Sequence, residues 1–137
     1  MTGAPGAVGD DVNPIEAYER LSKTHDAQLV DVRTEAEWDA VGVPHLAAIG
    51  KAPLFVQWRG SPDFLDELGA ALDARGIGRD APLYFLCRSG NRSGVTARLA
   101  AANGYPETHN VIEGFEGPPT ATTPVGWKAR GLPWKQR

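Results

Sequence analysis

Pro82-Leu83-Tyr84-Phe85-Leu86-Cys87-Arg88-Ser89-Gly90-Asn91-Arg92-Ser93-Gly94 joins an unbroken apolar run to a short cationic segment containing two glycines. An apolar stretch of this length, preceded by the turn signal Gly78-Arg79-Asp80, reads as a strand buried on both faces, the pattern of a parallel sheet. Downstream, Val95, Leu99 and Ala102 recur at helical spacing and predict a helix over Ser93 to Asn103, with Gly104 as its stop. A strand feeding a helix through a tight loop is the building unit of a three-layer α/β domain with a mainly parallel central sheet.

The flanking sequence repeats that alternation. Residues 1–12 are rich in Gly and Ala without periodicity and are expected to be a flexible tail, leaving residues 13–137 as a single domain. Asn13-Pro14-Ile15-Glu16 is a helix-start signal, with Ile15, Tyr18 and Leu21 as its apolar face. Gln28 to Arg33 follows as a buried strand, and Thr34 with Glu37 opens a short helix carrying Trp38 and Val41, stopped near Pro44. A further strand is expected within Leu46 to Pro53. Ser61-Pro62 starts the clearest helix, with Phe64, Leu65, Leu68 and Leu72 on one face and Asp63 to Asp73 supplying a solvated acidic one. Val111-Ile112 is expected as a last strand edge. Beyond it, a Pro- and Thr-rich loop from Gly117 to Pro124 leads to Trp127 and Trp134, expected to pin the C-terminus.

Composition narrows the classes of function. The chain has 137 residues, close to the typical ~100–200 of one domain. Lys and Arg number 14 against 17 Asp and Glu, a net charge of −3, which argues against nucleic-acid and anionic-membrane partners because both require a basic face. The apolar runs are too short to span a bilayer, and Met1 to Asp10 lacks the features of a signal peptide. A single cysteine excludes an internal disulfide and a multi-cysteine zinc site, so the expected compartment is the reducing cytoplasm.

That cysteine, Cys87, stands where the buried strand ends and the helix is about to begin, the end of an open α/β sheet at which ligands bind. Gly90 and Asn91 tolerate positive φ, so the chain can curl and point successive N–H groups inward. The helix N-terminus adds partial positive charge, and Arg88 and Arg92 add two full charges. Each of these favours thiolate over thiol. A lone cysteine is commonly just a small buried residue. Two Arg, two Ser and two Gly in the following seven positions are poor company for an inert core thiol, and point to a nucleophile in an anion-binding cup.

With these residues in view, the chain resembles the rhodanese-like sulfurtransferases. The resemblance rests on Cys87-Arg88-Ser89-Gly90-Asn91-Arg92-Ser93 after a strand, on Leu29-Val30-Asp31-Val32-Arg33 with Glu37 downstream, and on Trp127 followed by Gly131-Leu132-Pro133. It runs from about Asn13 to Trp134. It implies a persulfide carried on Cys87, with Arg88, Ser89, Gly90, Asn91, Arg92 and Ser93 as the substrate-binding loop and Asp31 and Arg33 as an ionic support for it. Arg88 and Arg92 attract a small anionic donor such as thiosulfate, and the acceptor is cyanide, a thiol or a protein dithiol. No metal or organic cofactor is implied.

Two rivals stay open: a module of the same fold that senses polysulfide or docks a partner without turnover, and a small cysteine phosphatase. Related phosphatases use a cysteine, five residues and then an arginine, whereas four residues separate Cys87 from Arg92. Mercaptopyruvate-type members usually carry Gly directly after the cysteine, where this chain has Arg88. The chain also departs from the family at Val41-Gly42-Val43-Pro44-His45-Leu46, where His45 reads as a polar turn residue, and in the Pro/Thr-rich stretch that delays Trp127. Trp58-Arg59-Gly60 is a candidate lip over the pocket. His25 and His109 are expected to be exposed.

Overall fold

A computed structural model describes residues 8–137; the first seven residues of the expected tail lie outside the described part. Strand β1 (Val8–Val12) is followed by α1 (Pro14–Lys23), β2 (Gln28–Asp31), α2 (Glu35–Val41) and β3 (Val43–Pro44). Then come β4 (Leu54–Phe55), α3 (Asp63–Ala74), β5 (Leu83–Leu86), α4 (Asn91–Ala102), β6 (Thr108–Val111) and β7 (Trp134–Lys135). Five strands form one parallel sheet in the order β1-β6-β5-β2-β4, and β3 pairs antiparallel with β7 in a small second sheet.

The centre of the sheet is built as the apolar run demands. Leu83 and Phe85 of β5 pack with Val30 of β2 against Phe64, Leu68 and Leu72 of α3 and Ala97 and Ala100 of α4. On the opposite face Tyr84, Leu86 and Leu29 meet Ala17 and Leu21 of α1, together with Phe115 and Trp127. Alternate residues of one strand therefore feed two separate cores, which is why β5 shows no polar alternation. The three-layer α/β architecture is present.

Helix starts follow their capping chemistry. The Asn13 side chain accepts from the Glu16 N–H at 2.8 Å with Pro14 in the first turn, and Thr34 and Glu37 form a reciprocal capping box. The expected faces of two helices hold only in part: Leu21 is buried and Tyr18 and Leu99 pack partly buried against the cores, but other members turn out. In α1 the buried residues are Pro14, Ala17 and Leu21, while Ile15 is 44% exposed. In α4 the buried stripe is Ser93, Ala97 and Ala100 with Gly94 and Thr96, whereas Val95 and Ala102 are exposed. The reason is proximity: a Cβ on Gly94 would lie 3.2 Å from the Asn110 amide of β6, so α4 turns its small side chains to the sheet, with Val95 outward and Leu99 at the border of the core.

Four other expectations are corrected. Residues 8–12 are not a tail but β1, an edge strand whose Val12 is buried and whose Val12 carbonyl accepts from the Ile112 N–H. Leu46 to Pro53 holds a single 3-10 turn, Ala47–Ile49, ended by left-handed Gly50, and the strand begins only at Leu54. The strand at Val111 starts at Thr108 and lies between β1 and β5, so it is interior rather than an edge. His109 is buried: its ring stacks on Tyr84 and its two nitrogens face Asp10 and Glu107. His25 is exposed as expected.

At the C-terminus Trp127 is fully buried, its indole N–H donating to the Pro133 carbonyl, while Trp134 is 39% exposed and is held through β7 and by Lys128 over its ring. Among the described residues no helix is long and apolar enough to cross a membrane, and no group of three or more His, Cys, Asp or Glu is placed to hold a metal ion.

Deleting residues 1–12 is expected to lower unfolding free energy by about 2 kcal/mol or more, since it exposes Val12's packing partners and strips β6 of a neighbour. Urea denaturation of the truncated and full chains checks this; an unchanged midpoint would mean that β1 contributes nothing.

Candidate functional site

Cys87 follows the last residue of β5, at the carboxyl end of the sheet's central strands. The residue is 1% exposed. Its sulfur accepts from the Gly90 N–H at 3.1 Å and lies 3.2 Å from the Ser93 hydroxyl oxygen. The nitrogen nearest the thiol therefore turns toward it. The N–H groups of Arg88, Ser89, Asn91 and Arg92 meet no acceptor among the described residues, while two carbonyls at the start of the loop are engaged: Cys87 C=O accepts from the Phe115 N–H at 2.8 Å, and Arg88 C=O from those of Glu116 and Gly117.

Two glycines make this arrangement possible. Gly90 has φ +106°, and a Cβ there would sit 2.1 Å from the Ile112 carbonyl oxygen. A Cβ on Gly114, with φ +70°, would lie 2.4 Å from the Arg88 carbonyl. Both positions combine a left-handed backbone with a contact too close for any side chain. Asn91, the other residue expected to take positive φ, is instead the first residue of α4.

The charges are more closely paired than the sequence suggests. Arg92 does not offer a free cation to the loop; its guanidinium grips Glu37 of α2 through two hydrogen bonds of 2.7 and 2.8 Å. That contact, with help from the Thr34 cap, holds the Glu37 carboxyl down from 4.5 to about 2 against the opposing effect of burial, and raises Arg92 in turn. Arg88 is on the surface, its side chain 55% exposed and 3.4 Å from Glu116. Arg59 points to Glu67 of α3, and Trp58 packs edge-on against Phe64, so the expected lip is tied to α3. His45 is half-buried, and its N–H donates to the Pro133 carbonyl.

Asp31 and Arg33 are both fully buried and form an ion pair of 2.7 Å. Arg33 also donates to the Gly42 carbonyl, and its guanidinium carbon lies 4.2 Å from the centre of the Phe115 ring. Phe115 is the residue whose N–H anchors the Cys87 carbonyl. The pair thus braces the segment that holds the loop.

Sequence reading missed Asn110, Glu116 and the role of Glu37 beside Arg92. Asn110 accepts from the Ser93 hydroxyl at 2.6 Å and donates to the Gly90 carbonyl and to Asp11. A polar residue at an otherwise buried strand position was the available signal for it. Beside the loop lies a polar recess lined by Asp11, Ser89, Asn91, Arg98, Pro118 and Pro119, which brings the start of the Pro/Thr-rich stretch to its border.

A parallel sheet whose central strand ends in a cysteine and a tight loop into a helix defines a class, and comparison with known proteins agrees. The model of the STR4 middle domain family matches residues 11–137. The chain is 39% identical over 120 residues, 88% of its length and 92% of the relative's, to the uncharacterized protein RP600 homolog of Rickettsia rickettsii. It is 31% identical to rhodanese-like domain-containing protein 4, chloroplastic, of Arabidopsis thaliana, covering 86% of this chain but only 24% of that protein. Among solved structures, Rv0390 from M. tuberculosis superposes with a TM-score of 0.78 at 43% identity over 96% of this chain and all of that one. The polysulfide-sulfur transferase homodimer of Wolinella succinogenes shares the fold, with a TM-score of 0.67 at 22% identity over 93% of this chain and 79% of that one. The chain belongs to the rhodanese-like family.

Two outcomes follow from the pairings. Asp31→Asn leaves Arg33 buried without its counter-charge and is expected to cost about 3–5 kcal/mol in urea denaturation; a loss below 1 kcal/mol would show that the brace is dispensable. Glu37 titrates lower in the folded protein than its ordinary 4.5, so its contribution is full above that value and is lost as pH falls toward about 2. The stability gap between the wild type and Glu37→Gln is therefore expected to close over that window; a gap independent of pH would contradict the pairing.

Proposed function

We propose that this protein is a sulfurtransferase that carries sulfane sulfur on Cys87. The observation that carries the reading is the loop itself: Gly90 N–H donates to the sulfur, and the Arg88 and Ser89 N–H groups, whose own peptide carbonyls are tied to Phe115, Glu116 and Gly117, have no other acceptor among the described residues. Peptide N–H groups held in place stabilise developing negative charge without reorganising, as an oxyanion hole does. The terminal sulfur of a persulfide is such a charge.

The reaction takes two displacements. The Cys87 thiolate attacks the outer sulfur of a donor such as thiosulfate; a bond forms between the two sulfurs, the donor's sulfur–sulfur bond breaks, and its electron pair leaves with sulfite. The outer sulfur of the Cys87 persulfide is then attacked by cyanide or by an acceptor thiolate, which carries it away and returns the Cys87 thiolate. Arg88, exposed on the surface, draws the anionic donor in. Arg92 serves the loop by fastening the start of α4 to α2 through Glu37. The acceptor is a small thiol or a dithiol, including one on a protein, and the reaction takes place in the cytoplasm without a cofactor.

Incubation with thiosulfate is expected to add the mass of one sulfur to the intact protein, and Cys87→Ser to abolish both this adduct and cyanide-dependent turnover. An adduct formed only by polysulfide, without turnover, would select a sensing role; hydrolysis of an aryl phosphate dependent on Cys87 would select phosphatase chemistry. Arg88→Ala is expected to raise the donor KM by about tenfold with little change in melting temperature, a pairing loss of about 1.4 kcal/mol. A collapse in stability would make Arg88 structural instead.

A further inference from the structure

Counting hydrogens around Cys87 reveals a conflict that its loop does not show. The Asn110 side-chain terminus facing the Gly90 carbonyl and Asp11 Oδ1, each at 3.1 Å, meets two groups that can only accept from it, so that terminus is the NH2. Its oxygen therefore faces Ser93, 2.6 Å away, and takes the single hydroxyl hydrogen that Ser93 possesses. Ser93 then has only lone pairs to present to the Cys87 sulfur at 3.2 Å. That contact is satisfied by a thiol, which donates its hydrogen to Ser93. A thiolate has no hydrogen to give, and must either face the Ser93 lone pairs or take the proton from Asn110 and leave a buried amide oxygen bare.

We propose that Asn110, oriented by Asp11 and the Gly90 carbonyl, is a positioning residue that claims the Ser93 proton and thereby holds Cys87 toward its thiol form. It acts through Ser93 and against the Gly90 N–H, which donates to the same sulfur and favours the thiolate. Ionisation of Cys87 thus requires the Ser93 hydroxyl to rotate, and the gain from the loop is offset until it does. Cys87 and Ser93 are almost fully buried, and Asn110 is 5% exposed at the edge of the polar recess, so the contact between the sulfur and the Ser93 oxygen is shielded from solvent. The charged groups around the thiol are Arg92 of α4 paired with Glu37 of α2, the Asp31–Arg33 pair at the end of β2, Arg88 beside Glu116, Asp11 of β1 on the Asn110 amide, and Arg98 of α4 in the recess with them. The substitutions below keep every one of these charged side chains and all of the ion pairs; Asn110→Leu removes only the amide that donates to Asp11 and to the Gly90 carbonyl. The proposal rests on Cys87 as the reacting thiol.

The test is the rate of Cys87 alkylation by iodoacetamide, a neutral reagent, against pH, in the full chain with folding checked by circular dichroism. Asn110→Leu frees the Ser93 hydroxyl to donate to the thiolate, and is expected to speed alkylation about tenfold at pH below the wild-type midpoint, the scale of one hydrogen bond to a charged group. Ser93→Ala removes a hydroxyl that does not donate to the thiolate, and is expected to leave alkylation equal or faster. In the Ser93→Ala background Asn110→Leu is expected to have no further effect. Slower alkylation in Ser93→Ala would overturn the proposal, because Ser93 would then be the thiolate's donor; so would an Asn110→Leu effect that persists without Ser93. If Asn110→Leu does not fold, the direction of the Ser93→Ala change decides alone. Failure of Cys87 to accept sulfur from thiosulfate, with alkylation behaving as expected, would sink the proposed function and leave this inference standing.

Discussion

The hydrogen bond from the Phe115 N–H to the Cys87 carbonyl, with those from Glu116 and Gly117 to the Arg88 carbonyl, sets the sense in which the loop faces. A peptide group has two polar ends, and tying the carbonyl to one side leaves the N–H for the other. Everything proposed for the site depends on this choice. Gly114 permits it, because any side chain there would strike the Arg88 peptide, and Gly90 completes it by lying against the Ile112 carbonyl. The Asp31–Arg33 pair, fully desolvated beneath Phe115, then holds the anchoring segment at the correct height.

Pairing of the arginines gives the site a different electrostatic character from an open basic cup. Arg92 is a fastener between α4 and α2, and its charge is largely answered by Glu37. Arg88 is partly answered by Glu116. The group donating to the sulfur is therefore a peptide dipole, the Gly90 N–H, rather than a full charge. This division suits the proposed transfer, in which an anion enters, another leaves and a nucleophile follows. A fully exposed pair of guanidinium groups would retain the first anion.

Much of the molecule was legible because local rules and tertiary demand agree. The run Leu83 to Leu86 had no alternation since both faces of β5 are covered, and the caps at Asn13 and at Thr34 with Glu37 form where their spacing places them. Cys87 stood out by its company, and Asp31 with Arg33 by their position at a strand end. The misses share one cause. Val8–Val12 has no apolar pattern of its own and becomes a strand only because β6 offers it an edge. Val95 of α4 lies outside the buried face because closeness of approach, which admits only small residues, overrode hydrophobicity.

What the amino-acid order determined by itself was the alternation of strand and helix, the capping of α1 and α2, and the meeting of a thiol, glycines and cations within one short loop. These depend on residues near one another in the chain, whose steric and hydrogen-bonding preferences act over a turn or less. Only the tertiary structure decided where the charges and protons go. Arg92 meets Glu37 across 55 positions, and Asn110 reaches Ser93 across 17 and Asp11 across 99. A hydrogen bond is directional and short, so whether such groups oppose or assist the thiol is settled only once packing has brought them within reach.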